Sequence, residues 1–195
     1  MAGALLFLAG ALLFAYNEHE AGMADRAAAD LLPELMAAIE EPPVTEEPAE
    51  EPVAPVLPEP GFIQMTEVEI DGYNYVGYVS IPALELMLPV MAEWDYTRLR
   101  TAPCRYAGTT FGDDLVILAH NYKRHFGQLS ELKVGDAVTF TDMGGVVTNY
   151  EVVALDVLSA TAVEEMVAGE YDLTLFTCTY GGKSRVTLRC DRAEG

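Results

Sequence analysis

The chain of 195 residues is 51% hydrophobic and carries 31 acidic against 11 basic side chains, a formal charge of -20. That is enough for one core-bearing domain plus an appendage. The acidity argues against nucleic acid as a partner, because such binders gain affinity by releasing phosphate counterions to Lys and Arg patches. Twelve of the acids and a single Arg fall in the first 60 residues, so the appendage is the more acidic part for its length.

The first element is "AGALLFLAGALLFAY", Ala2 to Tyr16, apolar for 15 residues. A bilayer takes about 20 such residues, and no Lys or Arg precedes the run to supply a positive flank. The expectation is a membrane anchor at 1–17 that starts upstream of Met1, with the rest of the chain exported; the competing reading is a buried helix, apolar all round. Residues 18–39 read as a juxtamembrane helix rich in Ala, Leu and Glu, with Leu31, Leu32, Leu35, Met36 and Ile39 at helical spacing and Pro33 as a local weakness. Residues 40–60 hold seven Glu and seven Pro without Lys, Arg, Gly or aromatic. Proline removes backbone donors and like charges repel, so an extended linker of at most about 60 Å is expected, standing the domain off the membrane.

From Gly61 onward the composition changes to short β-branched and aromatic runs bounded by turn residues, which defines a third region, 61–195. Strands are predicted near 75–81, 85–90, 114–119, 137–141, 146–158, 173–178 and 185–190. "DMGGVV" reads as a hairpin turn, "LSELKVGD" as a short helix or turn, and 161–168 as one or two helical turns with Thr161 and Glu164 spaced as a capping box. Many short strands with few helices predict a mainly β domain, a closed or nearly closed barrel.

The chemistry concentrates in "LTLFTCTYGGKSRVTLRC", Leu173 to Cys190. Paired strands on either side of Gly181-Gly182 place Cys178 opposite Arg185, with Cα atoms about 5 Å apart. Arg189, on the same strand face as Arg185, is the runner-up for that role, and Cys190 falls on the face of Val186 and Leu188, which suits a buried thiol. Cys104, in "TAPCRYAG", reads as a small packing residue in a loop, and a disulfide between Cys104 and Cys190 is an option left open by the count. Three cysteines are an odd number, so an exported chain leaves at least one thiol unpaired.

A thiol needs a base or a cation to become a nucleophile. Of the three histidines, His19 lies beside the apolar run and His125, in "NYKRHFG", reads as loop surface. His120 ends the run "LVILA", which puts its imidazole at a rim.

"LAHNY" followed by "FGQLSELKVGD", and "LTLFTC" followed by Arg185, resemble the sortases, cysteine transpeptidases of Gram-positive cell surfaces whose signature is TLxTC with a downstream Arg. "GYVSIPALELMLPVM" and "YAGT" extend the resemblance over about Tyr75 to Arg192. It implies an eight-stranded β-barrel with short helices, preceded by the N-terminal helix and the Pro/Glu-rich linker, so that 61–195 is the catalytic domain. It implies His120, Cys178 and Arg185 as catalytic residues. Cys178 would cleave an LPXTG-like C-terminal sorting motif of a secreted protein and hold it as a thioester. His120, as imidazolium, would protonate the leaving amine, and Arg185 would hydrogen-bond the substrate or the oxyanion. The acceptor would be a peptidoglycan precursor or another amine, and no cofactor or metal is required. Thr177 and Tyr180 are expected to bind substrate, with packing as the alternative for Tyr180.

Lid motifs of pilus-assembling sortases are missing from the linker, which favours a housekeeping-like or a B- or D-like anchoring role over pilin polymerisation. Asp113 and Asp114 could hold calcium, though a solvated turn is the more frequent explanation. Two other functions fit the same residues: a Cys-His peptidase that hydrolyses without transfer, and a non-catalytic anchored β-barrel adhesion module in which Cys178 is merely buried.

Overall fold

The computed structural model describes residues 2–40 and 64–193, so the linker expected at 40–60 lies almost wholly outside the described residues. A single helix, α1 (Ala2–Glu40), runs through the boundary expected at 17/18 and carries Pro33 inside it. Its first four turns are bare: Leu5, Leu6, Phe7 and Phe14 are exposed. Among the described residues no helix is long and apolar enough to cross a membrane. The second half of α1 buries Ala24, Ala28, Leu31 and Leu35, a stripe at i, i+4, i+7 and i+11. That stripe docks on the barrel, so α1 reaches the domain surface before the Pro/Glu-rich stretch begins. The distance between the apolar run and the barrel is therefore set by the helix and not by the linker.

Nine strands follow: β1 (Val68–Ile70), β2 (Tyr73–Ile81), β3 (Leu86–Met91), β4 (Cys104–Ala107), β5 (Leu115–Leu118), β6 (Ala137–Asp142), β7 (Val147–Ser159), β8 (Leu173–Cys178) and β9 (Ser184–Arg192). Their order is β1-β2-β3-β4-β5-β8-β9-β7-β6, and β2 also pairs β6. Eight strands thus close into a barrel with β1 added outside it. Closure requires a tight approach at Gly77 (φ +146), where a Cβ would stand 2.0 Å from the Thr141 carbonyl oxygen, so only glycine fits.

β5 (LVIL) and β8 (LTLFTC) are parallel neighbours, and all but the last residue of β8 are buried. Strands covered on both faces read as continuous apolar runs instead of alternating ones. Leu115, Ile117, Leu173, Leu175, Leu188 and Cys190 point into the barrel core. Val116, Leu118 and Phe176 belong to an outer cluster with Leu31 and Leu35 of α1 and with Leu99 and Cys104. By contrast β7 alternates exposed and buried over its first six residues, as a strand with one wet face does. The only other α-helix among the described residues is α2 (Val163–Met166), one turn in the β7–β8 connection.

Candidate active site

The β8–β9 hairpin has the expected register: Cys178 pairs with Arg185 and Thr174 with Arg189, with no bulge between. The turn is closed by Thr179, whose N–H donates to the Ser184 carbonyl (2.9 Å), while Gly181 (φ +80) and Gly182 (φ +70) take the left-handed angles it demands. The Arg185 guanidinium sits at the mouth, Nη1 donating to the carbonyls of Gly182 (3.0 Å) and Ser184 (3.1 Å).

His120 is brought to this hairpin by the parallel β5–β8 pairing. The strands stay paired to their ends, the Ala119 N–H donating to the Phe176 carbonyl at 3.2 Å. One residue further on, the Thr177 hydroxyl donates to the Ala119 carbonyl (2.8 Å). Thr177 is buried. That bond ties the residue before Cys178 to the residue before His120, and period-2 alternation puts Thr177 on the strand face opposite Cys178.

His120, Cys178 and Arg185 line one groove of about 300 Å³. Its walls are apolar. Trp94, Tyr106 and Phe176 form a continuous aromatic ladder, with ring centroids 5.5 Å and 5.3 Å apart, and Tyr96 meets Trp94 edge-on at 6.0 Å. Val163 and Met166 of the β7–β8 connection form another wall.

Arg189 holds that wall. Buried, it donates from Nη1 to the Thr174 hydroxyl (3.0 Å) and the Met166 carbonyl (3.4 Å) and from Nη2 to the Glu165 carbonyl (2.7 Å), with Asp156 at 3.6 Å and the Tyr171 ring 5.2 Å beneath it. The runner-up is thus a structural clamp, four residues or about 13 Å along the strand from Arg185. The expected capping box is not made. The Thr161 hydroxyl pairs with that of Ser159 (3.0 Å), and no side chain caps α2.

All three thiols are free, and burial separates them. Cys104 and Cys190 are fully buried in two different clusters, which leaves no disulfide between them. Loss of hydration pushes both thiols up to about 12. Only Cys178 is partly open, and it opens into the groove.

His120 is held below the ordinary histidine value, first by burial and then by the positive charge of Arg100, while Glu20 of α1 opposes the shift. Glu20 is itself in a small cluster. It accepts from the Tyr16 hydroxyl (2.7 Å) and from the Tyr122 hydroxyl (3.3 Å), and the Tyr122 ring lies 4.9 Å from that of His120. Sequence reading missed this group, since Glu20 and Tyr122 are 102 residues apart; the "NY" directly after His120 was its one local signal.

His125, expected on the loop surface, is fully buried with both ring nitrogens unpartnered, and burial pushes it down to about 4. The loop folds back on itself, the Phe126 N–H donating to the His120 carbonyl (3.2 Å). This turns His125 inward and leaves Lys123 and Arg124 outside. Tyr180 is 94% exposed, which removes packing as its explanation. Asp113 is paired with Arg192, and Asp114 accepts the Thr109 N–H (2.9 Å). No group of three metal-ligating side chains stands together among the described residues.

The sortase domain model matches residues 79–193, more than half of the chain. The fold is similar to sortase C1 from Streptococcus suis, at 29% identity and TM-score 0.53 over 62% of this chain and 74% of that one. It is also similar to sortase C1 from Streptococcus agalactiae, at 26% and 0.57 over 65% and 72%. A third likeness is to sortase A from Corynebacterium diphtheriae, at 25% and 0.56 over 63% and 62%. No curated protein matches the chain. The closed barrel places a half-open cysteine, a rim histidine and a mouth arginine on one groove. The chain belongs to the sortase family.

Proposed function

We propose that the chain is a cysteine transpeptidase that cleaves an LPXTG-like C-terminal sorting motif and transfers the protein to an amine. What supports the reading is that Cys178, His120 and Arg185, from three separate elements, line one groove. The other thiols are buried and Arg189 is consumed elsewhere.

Burial and the nearby Arg100 charge disfavour the imidazolium form of His120, with Glu20 opposing them. As the sulfur of Cys178 attacks the carbonyl carbon at the cleavage point, the thiol proton passes to His120. The imidazolium then gives that proton to the departing amine as the C–N bond breaks, leaving a thioester. In the second half the incoming amine attacks the thioester, His120 takes its proton, and the proton returns to the sulfur as the C–S bond breaks. Arg185 donates to the substrate carbonyl or to the tetrahedral oxyanion, a role worth about 2.7–4 kcal/mol of barrier. The apolar, aromatic walls suit the hydrophobic part of a sorting motif and exclude water from the thioester.

The exposed apolar turns of α1 are the proposed membrane contact, with the domain on the outer surface. Because α1 packs directly on the barrel, this places the groove close to that surface. The acceptor class fitting such a position is a peptidoglycan precursor amine.

Product analysis tests the function. Incubation with a peptide bearing the motif should yield a Cys178 thioester by mass and, with an amine present, the amide product. Free acid alone, whatever amine is supplied, would reject transfer in favour of hydrolysis.

A further inference from the structure

A second cleft, of about 500 Å³, opens beside the apolar groove and shares no lining residue with it. One bank is the loop 121–124, which begins at the residue after His120; another is Tyr180 and Gly181, two and three residues after Cys178; the third is α1 from Asn17 to Asp25. This arrangement follows from the topology. β5 and β8 are parallel neighbours, so the loops leaving them emerge side by side at one end of the barrel.

The cleft differs from the groove in chemistry as well as in position. It is walled by Glu18, Asp25, Lys123 and Arg124, two charges of each sign, and among the described residues only Asp25 and Arg124 are paired, at 3.8 Å. Tyr180 stands over it almost fully exposed, an aromatic that no packing accounts for. Gly22 leaves the helix wall open: a Cβ there would meet nothing within 4 Å.

Resting on the transpeptidase reading, we propose that this cleft, walled on one side by the N-terminal helix, binds the acceptor: a peptide with a free amine and a carboxylate. A transfer reaction needs two substrates to reach one carbonyl carbon. The donor chain fills the apolar groove, so the amine must arrive by a route that ends at His120, which takes its proton. The cleft begins where the His120 and Cys178 loops diverge. Its unpaired Glu18 suits an ammonium, and its unpaired Lys123 suits a carboxylate.

The test uses the purified 195-residue chain, a fluorogenic peptide with an LPXTG-type motif as donor, and two acceptors that differ in size: triglycine, which carries both charges, and hydroxylamine, which is too small to need a subsite. In the wild type, aminolysis by triglycine should saturate while that by hydroxylamine stays linear. Gly22→Leu fills the cleft without strain and with better helix propensity. It should lower the ratio of triglycine to hydroxylamine aminolysis about tenfold, a loss of about 1.4 kcal/mol. Glu18→Lys should lower it in the same direction. A ratio unchanged in both variants, or no saturation by triglycine, overturns the acceptor cleft while leaving the enzyme reading intact. Absence of a Cys178 thioester in the wild type overturns the enzyme reading and the cleft with it.

Discussion

Cys178 and Arg185 face each other as the last paired residues of β8 and the second of β9, so the guanidinium at the hairpin mouth and the one groove-facing thiol are set by backbone pairing. Arg189, on the same strand, is equally cationic and is tied to the wall at Glu165, Met166 and Thr174. The two arginines should therefore fail in different ways. Arg185→Ala should cut turnover by about two to three orders of magnitude with little change in melting temperature. Arg189→Ala should cost stability first, about 2–3 kcal/mol from lost charge-assisted hydrogen bonds, with a much smaller loss of turnover. Paired measurements of kcat and thermal unfolding decide; equal activity losses would mean that the two side chains share one role.

Alkylation should single out one cysteine. Cys104 and Cys190 are buried and held as thiols up to about 12, whereas Cys178 opens into the groove. Iodoacetamide at neutral pH, followed by peptide mass mapping, should label Cys178 alone in the native chain and all three after denaturation. A native rate at Cys178 no greater than in the denatured chain would favour the adhesion module. Cys178→Ala should abolish thioester formation.

The charge balance around His120 can be moved in both directions. Arg100 lowers its affinity for protons and Glu20 raises it. Glu20→Gln should therefore lower the His120 pKa further, and Arg100→Gln should bring it back toward the ordinary value. Nuclear magnetic resonance titration of the His120 ring reads this directly, and the limb of the kcat/KM profile that follows His120 should shift in the same two opposite senses. Shifts of the same sign in both variants would show that the helix carboxylate does not act on the imidazole.

His125 makes stability depend on pH. Its folded value is about 4, below the ordinary 6.5, so the unfolded chain binds the extra proton. The native state is fully favoured above 6.5 and loses stability as pH falls toward 4, by about 2 kcal/mol at pH 5. His125→Phe keeps a ring in the site without the titrating nitrogens. The variant should gain on the wild type by that amount between pH 7.5 and pH 5, measured by denaturant unfolding at each pH; an equal loss in both proteins would exclude His125 as the source.

Seven of the nine strands were legible because their runs of β-branched and aromatic residues end at turn residues. The two that were not, β1 (VEI) and β4 (CRYA), have three and four residues. Strands that short, with charged residues inside them and without the continuous apolar run that marks the equally short β5, carry too little pattern to stand out; pairing with the neighbouring strands β2 and β5 makes them. The same limit explains His125: "KRH" reads as a wet loop, but a hydrogen bond from Phe126 back to His120 turns one of those three side chains inward.

Local patterning by itself determined the β-rich class, the hairpin at Gly181-Gly182 and the register that opposes Cys178 to Arg185. Each depends on neighbours within a strand or a turn, where stereochemistry acts on adjacent residues. Tertiary structure alone decided that Arg189 is a clamp, that His125 is buried, and that α1 lies against the barrel with Glu20 beside Tyr122. Those outcomes depend on burial and on charges meeting across more than a hundred residues of chain, and only the closed barrel brings them together.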